Sequence, residues 1–175
     1  YLIMKTYDDV VNSEIYSDFK YYFSNTSISH EEILKELEIF AKYFSWINKF
    51  NSPNKELNKY FQELNALKTD DIYPLYLYLI NALYDSNETE LVKIFKLLTD
   101  FLLRYRIVAP AGGGGVLRSV IQNLIRKMDS NEIEINYEAI YFELSNSSTK
   151  TGRFPTDEDF YLALTQSRKT NHTYG

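Results

Sequence analysis

The chain has 175 residues, with 24 acidic and 19 basic side chains, two histidines and no cysteine, for a net charge of −5. Hydrophobic residues at 45% and charged residues at 25% are ordinary globular values, which excludes a disordered chain. The lack of cysteine excludes disulfides, thiolate metal sites and thiol nucleophiles, and the acidic balance excludes indiscriminate binding to a nucleic-acid backbone. What stands out is the aromatic content: 16 Tyr, 11 Phe and one Trp.

No basic segment leads into an apolar run at the front of the chain, so nothing there reads as a signal peptide. Val10, Val11, Ile15, Phe19, Tyr22 and Phe23 predict a helix over residues 7–23, with a break near Asn12-Ser13. Ser29 and Glu32 form a capping-box pattern ahead of a stripe made by Ile33, Leu37, Phe40, Phe44 and Ile47. Asn51-Ser52-Pro53-Asn54 stops that helix, and a short one follows over residues 55–67. Thr69-Asp70-Asp71 opens a segment in which Pro74 suits the first turn and Leu75, Leu79, Ala82 and Leu83 face inward. Residues 73–84 are the longest nearly apolar stretch, well short of the about 20 residues a membrane span needs.

After the turn at residues 85–87, residues 88–108 form the most strongly marked helix. Leu91, Phe95, Leu98, Leu102 and Tyr105 share one face, while Ile94, Leu97, Phe101 and Leu103 carry apolar character around most of the circumference. That pattern predicts a central, buried helix. Residues 109–115 are a break, one proline and then four glycines, where the chain could divide into two parts. An amphipathic helix over 116–128 turns Leu117, Val120, Leu124 and Met128 inward. Residues 132–136 alternate Ile133 and Ile135 with polar residues, a brief strand or an extended lead into a helix over 137–144. Past a polar loop, Thr156 reads as the N-cap of a last helix, with Asp157, Glu158 and Asp159 in its first turn and Phe160 and Leu164 behind them. No period of 20 to 50 residues repeats. The expected fold is all-α, a bundle of about seven to nine helices in a single domain over residues 1–175.

Catalytic patterns are scarce. His30 falls at a helix start and His172 in the terminal tail, and neither has a partner motif for nucleophilic or metal chemistry. The glycines at 112–115 are followed by Val116 and Leu117 rather than Lys-Ser/Thr, so they are no Walker loop. They read first as a hinge, and second as backbone N–H groups exposed to an anion at a helix start. The tyrosines at 73, 76, 78 and 84 lie in an apolar helix with few cations near them, which favours packing over base stacking.

Charge is distributed unevenly. Residues 101–128 contain no acid and five cations: Arg104, Arg106, Arg118, Arg126 and Lys127. Arg118, Gln122 and Arg126 follow at i, i+4 and i+8 and form one stripe away from Leu117, Leu124 and Met128. Arg104 and Arg106 lie near a helix C-terminus, where cations are favoured whatever the function. These five are the phosphate- or DNA-binding candidates, set against the plainer reading of a helix cap plus a solvated face.

Several landmarks occur in a familiar order: Ile15-Tyr16-Ser17-Asp18-Phe19-Lys20, Ile72-Tyr73-Pro74-Leu75-Tyr76, Phe101 to Val108 with its two arginines, the glycine loop, and Arg153-Phe154-Pro155-Thr156-Asp157-Glu158-Asp159-Phe160. In order and spacing the chain resembles the helical region of GmrSD-type proteins, the modification-dependent (type IV) restriction and phage-defence family. There, a ParB/sulfiredoxin-like domain implicated in nucleotide hydrolysis precedes the helices, and an HNH-type nuclease domain often follows. The chain has no Asp-Gly-Gln-Gln-Arg segment and no His/Asn/His set, so the resemblance implies a helical middle piece without either centre. Arg104, Arg106, Arg153, Phe154 and Pro155 match the family's pattern, and no catalytic residue is carried across. The expectations are thus an excerpt of a cytoplasmic, NTP-dependent endonuclease, with no metal or cofactor of its own and no membrane contact. Its partners would be flanking domains, with DNA a further expected contact. The alternative is a protein-interaction or oligomerisation module with no nucleic-acid role, and a third reading is a small-ligand binder using the glycine loop.

Overall fold

The structure, a computed structural model, describes residues 1–7, 10, 13–108, 114–147 and 152–170. The break expected at Asn12, most of the glycine loop and His172 lie outside the described residues. Among those described, nine α-helices and one short 3-10 turn form an all-α multi-helix bundle, with no strand. In chain order the helices are α1 (Leu2–Thr6), α2 (Ile15–Asn25), α3 (His30–Lys49), α4 (Lys55–Leu67), α5 (Tyr73–Leu83), α6 (Glu88–Val108), α7 (Gly114–Asp129), α8 (Tyr137–Ser145) and α9 (Asp157–Thr170). The 3-10 turn, Asp70–Ile72, runs directly into α5.

Most helix starts are set by short polar side chains that satisfy the free N–H groups of a first turn. Ser29 accepts the Glu32 N–H at 3.3 Å while the Glu32 carboxylate accepts the Ser29 N–H at 2.9 Å, completing the expected capping box. Asn54 accepts from Glu56 and Leu57 at the start of α4, Asn87 from Glu90 near the start of α6, and Asn136 from Ala139 at the start of α8. Pro74 sits in the first turn of α5, where its missing N–H costs nothing.

α6 is the axis of the bundle and packs against α4, α5, α8 and α9. All five residues of its predicted face are buried, as are Ile94, Leu97 and Phe101 from the rest of the circumference; Leu103 faces outward. At the centre, the Phe95 ring meets Tyr76 of α5 at 4.2 Å and Phe61 of α4 at 5.6 Å between centroids. α7 covers the other side of α5 and contacts the 3-10 turn and α8. One connected set of buried side chains draws on α1 and on α3 through α8.

Two local expectations are corrected and one open alternative is decided. The first helical segment is divided otherwise than over 7–23. Leu2–Thr6 is a helix of its own, and Tyr7 is its C-cap in the left-handed region at φ 58. α2 begins only at Ile15. On α3 the buried face is Ile33, Phe40, Tyr43, Trp46 and Ile47, whereas Phe44 is largely exposed and touches Tyr73 by its edge. Residues 132–136 form no strand. The N–H groups of Glu132 and Ile133 are both taken by the Lys127 carbonyl at the end of α7, leaving no ladder for a partner strand.

Candidate functional site

Each cation of the basic stretch is held by the chain itself. Arg106 reaches the end of α4, where its Nη2 donates to the Leu67 and Lys68 carbonyls at 2.6 and 2.8 Å and its Nε to Leu67 at 3.2 Å. Those carbonyls have no partner within α4, and Lys68 is the helix's left-handed C-cap at φ 49, so Arg106 supplies a cap from another helix. Arg118 pairs with Asp71 of the 3-10 turn at 3.2 Å. Arg126 pairs with Glu132 at 2.8 Å and Lys127 with Glu143 of α8 at 2.6 Å. The Ser130 hydroxyl first, and Arg126 second, hold the Glu132 carboxyl below its ordinary range. Their partners lie at the end of α4, on the 3-10 turn, in the loop after α7 and on α8. Gly114 and Gly115, expected to precede α7, form its first turn, and a Cβ at Gly115 would meet nothing within 4 Å.

Arg106→Ala is expected to destabilise the protein by about 1–2 kcal/mol, because charge-assisted bonds to carbonyls at a helix end are lost. A urea titration followed by circular dichroism measures it, and a shift indistinguishable from zero would mean that water replaces the cap at no cost.

Arg104 leads to a different place. Its Nη1 donates to Asp157 at 2.6 Å and approaches the Pro155 carbonyl at 3.4 Å, while its guanidinium lies over the Phe160 and Phe154 rings at 5.3 and 5.8 Å. Phe154 packs on Phe101 of α6 and meets the edge of Tyr141 of α8. Arg153 pairs with Asp159 at 2.9 Å. These groups surround a cleft of ≈ 400 Å³ lined by Arg104, Tyr141, Ser145, Arg153, Phe154, Pro155, Thr156 and Asp157. Arg104, Arg153, Phe154 and Pro155 therefore meet at one site, and Arg106 is not among its lining residues.

The local sequence builds the cleft. Thr156 and Asp159 exchange caps at the start of α9: the Asp159 N–H donates to the Thr156 hydroxyl at 3.1 Å and the Thr156 N–H to the Asp159 carboxylate at 3.1 Å. The Thr156 hydroxyl and N–H, with Arg153 adding to them, hold the Asp159 carboxyl below its usual range. The Phe154 N–H donates to the Leu144 carbonyl at 2.7 Å, tying the lead-in of α9 to the end of α8. Tyr141, Ser145 and Asp157 were not singled out as site residues in the sequence. Tyr141 and Ser145 stand four apart on α8, a spacing that marks a shared face but no chemistry.

Among the described residues, no group of three or more His, Cys, Asp or Glu is placed to hold a metal ion. Nor, among them, is any helix long and apolar enough to cross a membrane. The molecule is a multi-helix bundle with a polar cleft at the junction of α6, α8 and α9. No protein-family model, no curated protein and no solved structure matches the chain.

Proposed function

We propose that this chain is a non-catalytic helical connector of a GmrSD-like defence protein, holding a nucleotide-hydrolysing and a nuclease domain in register. The observation that supports this reading best is the placement of exposed apolar side chains. Tyr16 and Tyr21 stand out on α2, and Phe142, Tyr161 and Leu162 on α8 and α9, away from the closed core around α6. On this reading these side chains are the surfaces that meet the neighbouring domains. The isolated chain should turn over no nucleotide and cut no DNA. Its reading frame should encode an Asp-Gly-Gln-Gln-Arg segment upstream and an HNH set downstream. Nucleotide turnover by the chain alone, abolished by arginine-to-alanine changes, would overturn the proposal.

Contact with duplex DNA belongs to the same proposal and would use Arg118 and Arg126. Their partners Asp71 and Glu132 are themselves partly solvated, so a phosphate exchanges for either carboxylate at little cost. Combining Arg118→Ala with Arg126→Ala should weaken binding and lower the salt slope by about two. Fluorescence anisotropy with a labelled duplex reads both quantities. No binding at low salt removes DNA from the proposal and favours a module that engages protein alone.

A further inference from the structure

The cleft between α6, α8 and α9 offers more donor capacity than the chain's own carboxylates use. Asp157, the partner of Arg104, has its side chain 92% exposed, so it meets the half-buried Arg104 from the water side of the cleft. An ion pair of that kind contributes little to stability and is readily exchanged. Both bonds from Arg104 to residues 155–157 leave from Nη1, and a guanidinium carries five N–H donors. The Arg153 Nε is buried and has no hydrogen-bond partner, an arrangement that usually signals a missing acceptor. Asp159 differs from Asp157, because Thr156 binds it from two sides and it is mostly shielded. One carboxylate is thus built in and the other only stands in place.

The remaining lining is aromatic. Tyr141 and Phe154 meet edge to face at 5.7 Å, and Phe154 with Phe160 fixes the plane of the Arg104 guanidinium. A volume of ≈ 400 Å³ exceeds what a bare oxyanion fills and lies within the range of small-molecule sites, about 300–1,000 Å³. Two guanidiniums and the Ser145 hydroxyl present donors from several directions, while the Thr156 hydroxyl stays committed to Asp159. That suits a tetrahedral oxyanion with three accepting oxygens better than a planar carboxylate.

We propose that this cleft binds a small phosphorylated compound, whose phosphoryl group replaces Asp157 on Arg104 while its ring or apolar part rests on Tyr141 and Phe154. The site is independent of the connector role and needs no catalysis.

Isothermal titration at constant ionic strength with phenyl phosphate, inorganic phosphate and benzoate tests it. Phenyl phosphate should saturate the protein and bind at least about 5-fold tighter than inorganic phosphate, since only it carries a ring for the aromatic wall. Benzoate should bind more weakly than phenyl phosphate. Asp157→Asn should tighten phenyl phosphate binding by up to about 5-fold, the equilibrium equivalent of removing a competing exposed pair. That gain is one that a purely structural ion pair would not give. Arg104→Ala should lose at least about 10-fold, as expected for a charge-assisted bond. Arg104→Lys, which keeps the charge without the fork, should lose affinity as well and serves if the alanine variant unfolds. Equal binding of phenyl phosphate and phosphate would overturn the aromatic part. No saturable binding to either the unmodified chain or Asp157→Asn, or affinity unchanged by Arg104→Lys, would overturn the site.

Discussion

Phe95→Ala is expected to lower the unfolding free energy by about 3–5 kcal/mol, a large share of the about 5–15 kcal/mol that a domain of this kind has. The residue is fully buried on α6, and its ring is the common neighbour of Phe61 on α4 and Tyr76 on α5. Truncation removes the transfer energy of the ring and leaves a cavity walled by three helices that hold one another in place, so collapse is restricted. A urea titration should show the midpoint falling with the slope unchanged. On the same helix, Leu103→Ala should change stability by no more than about 0.5 kcal/mol, because its side chain faces outward. Tyr76→Phe should go the other way. The Tyr76 hydroxyl is buried beside Thr99 with no hydrogen-bond partner, and the Thr99 hydroxyl gives its own proton to the Phe95 carbonyl at 2.9 Å. Removing an unsatisfied buried hydroxyl should stabilise by about 1 kcal/mol. A loss from Tyr76→Phe would show that the hydroxyl has an acceptor, and a small effect of Phe95→Ala would show that α6 is not the axis of the core.

What the sequence reveals about this fold depends on how local the cause is. The start of α3 and the whole span of α4 are legible because the Ser29–Glu32 box and Asn54 act within a single turn. The centrality of α6 is legible because a helix apolar on most sides has to be covered on most sides. α1 is not legible. Its five residues are too few for a periodic signal, and it is held by contacts distant in sequence: Tyr1 and Lys5 to Glu36, and the Tyr7 hydroxyl to Asp129. On α3 the steps of three and four fit Phe44 as well as Tyr43. Only the position of its neighbours turns Tyr43 and Trp46 inward. The candidate site divides the same way. The arginines and the Arg153-Phe154-Pro155 segment can be singled out by type, but the pairing of Arg104 with Asp157 spans 53 positions and follows from how α9 packs on α6. The partners of the basic stretch are equally hidden, because helical periodicity says where a side chain leaves its own helix and nothing about the carbonyl or carboxylate it meets.

Above pH 10 the protein should unfold in a single cooperative step rather than titrate residue by residue. Nine of the 16 tyrosines have their ionisation pushed upward, in every case chiefly by burial. For Tyr7 and Tyr78 it reaches about 12, with the Asp129 carboxylate adding to the effect at both. A tyrosine raised in the folded state leaves stability untouched while both states are protonated, below its ordinary value of 10.0. Once the pH exceeds that value, only the unfolded chain releases the proton, and stability falls until the folded-state value is passed. A fully buried group such as Tyr76 adds about 1.4 kcal/mol per pH unit to this slope, and tyrosines nearer the surface add less because water screens them. With several acting together between pH 10 and 12, the loss should exceed the stability of the fold. Tyrosinate absorbance and helical circular dichroism, followed together, should change at one midpoint, and Tyr76→Phe should move that midpoint upward. Absorbance that rises smoothly around pH 10 while the helices persist would show that these hydroxyls are open to water, and would remove burial as the use this chain makes of its tyrosines.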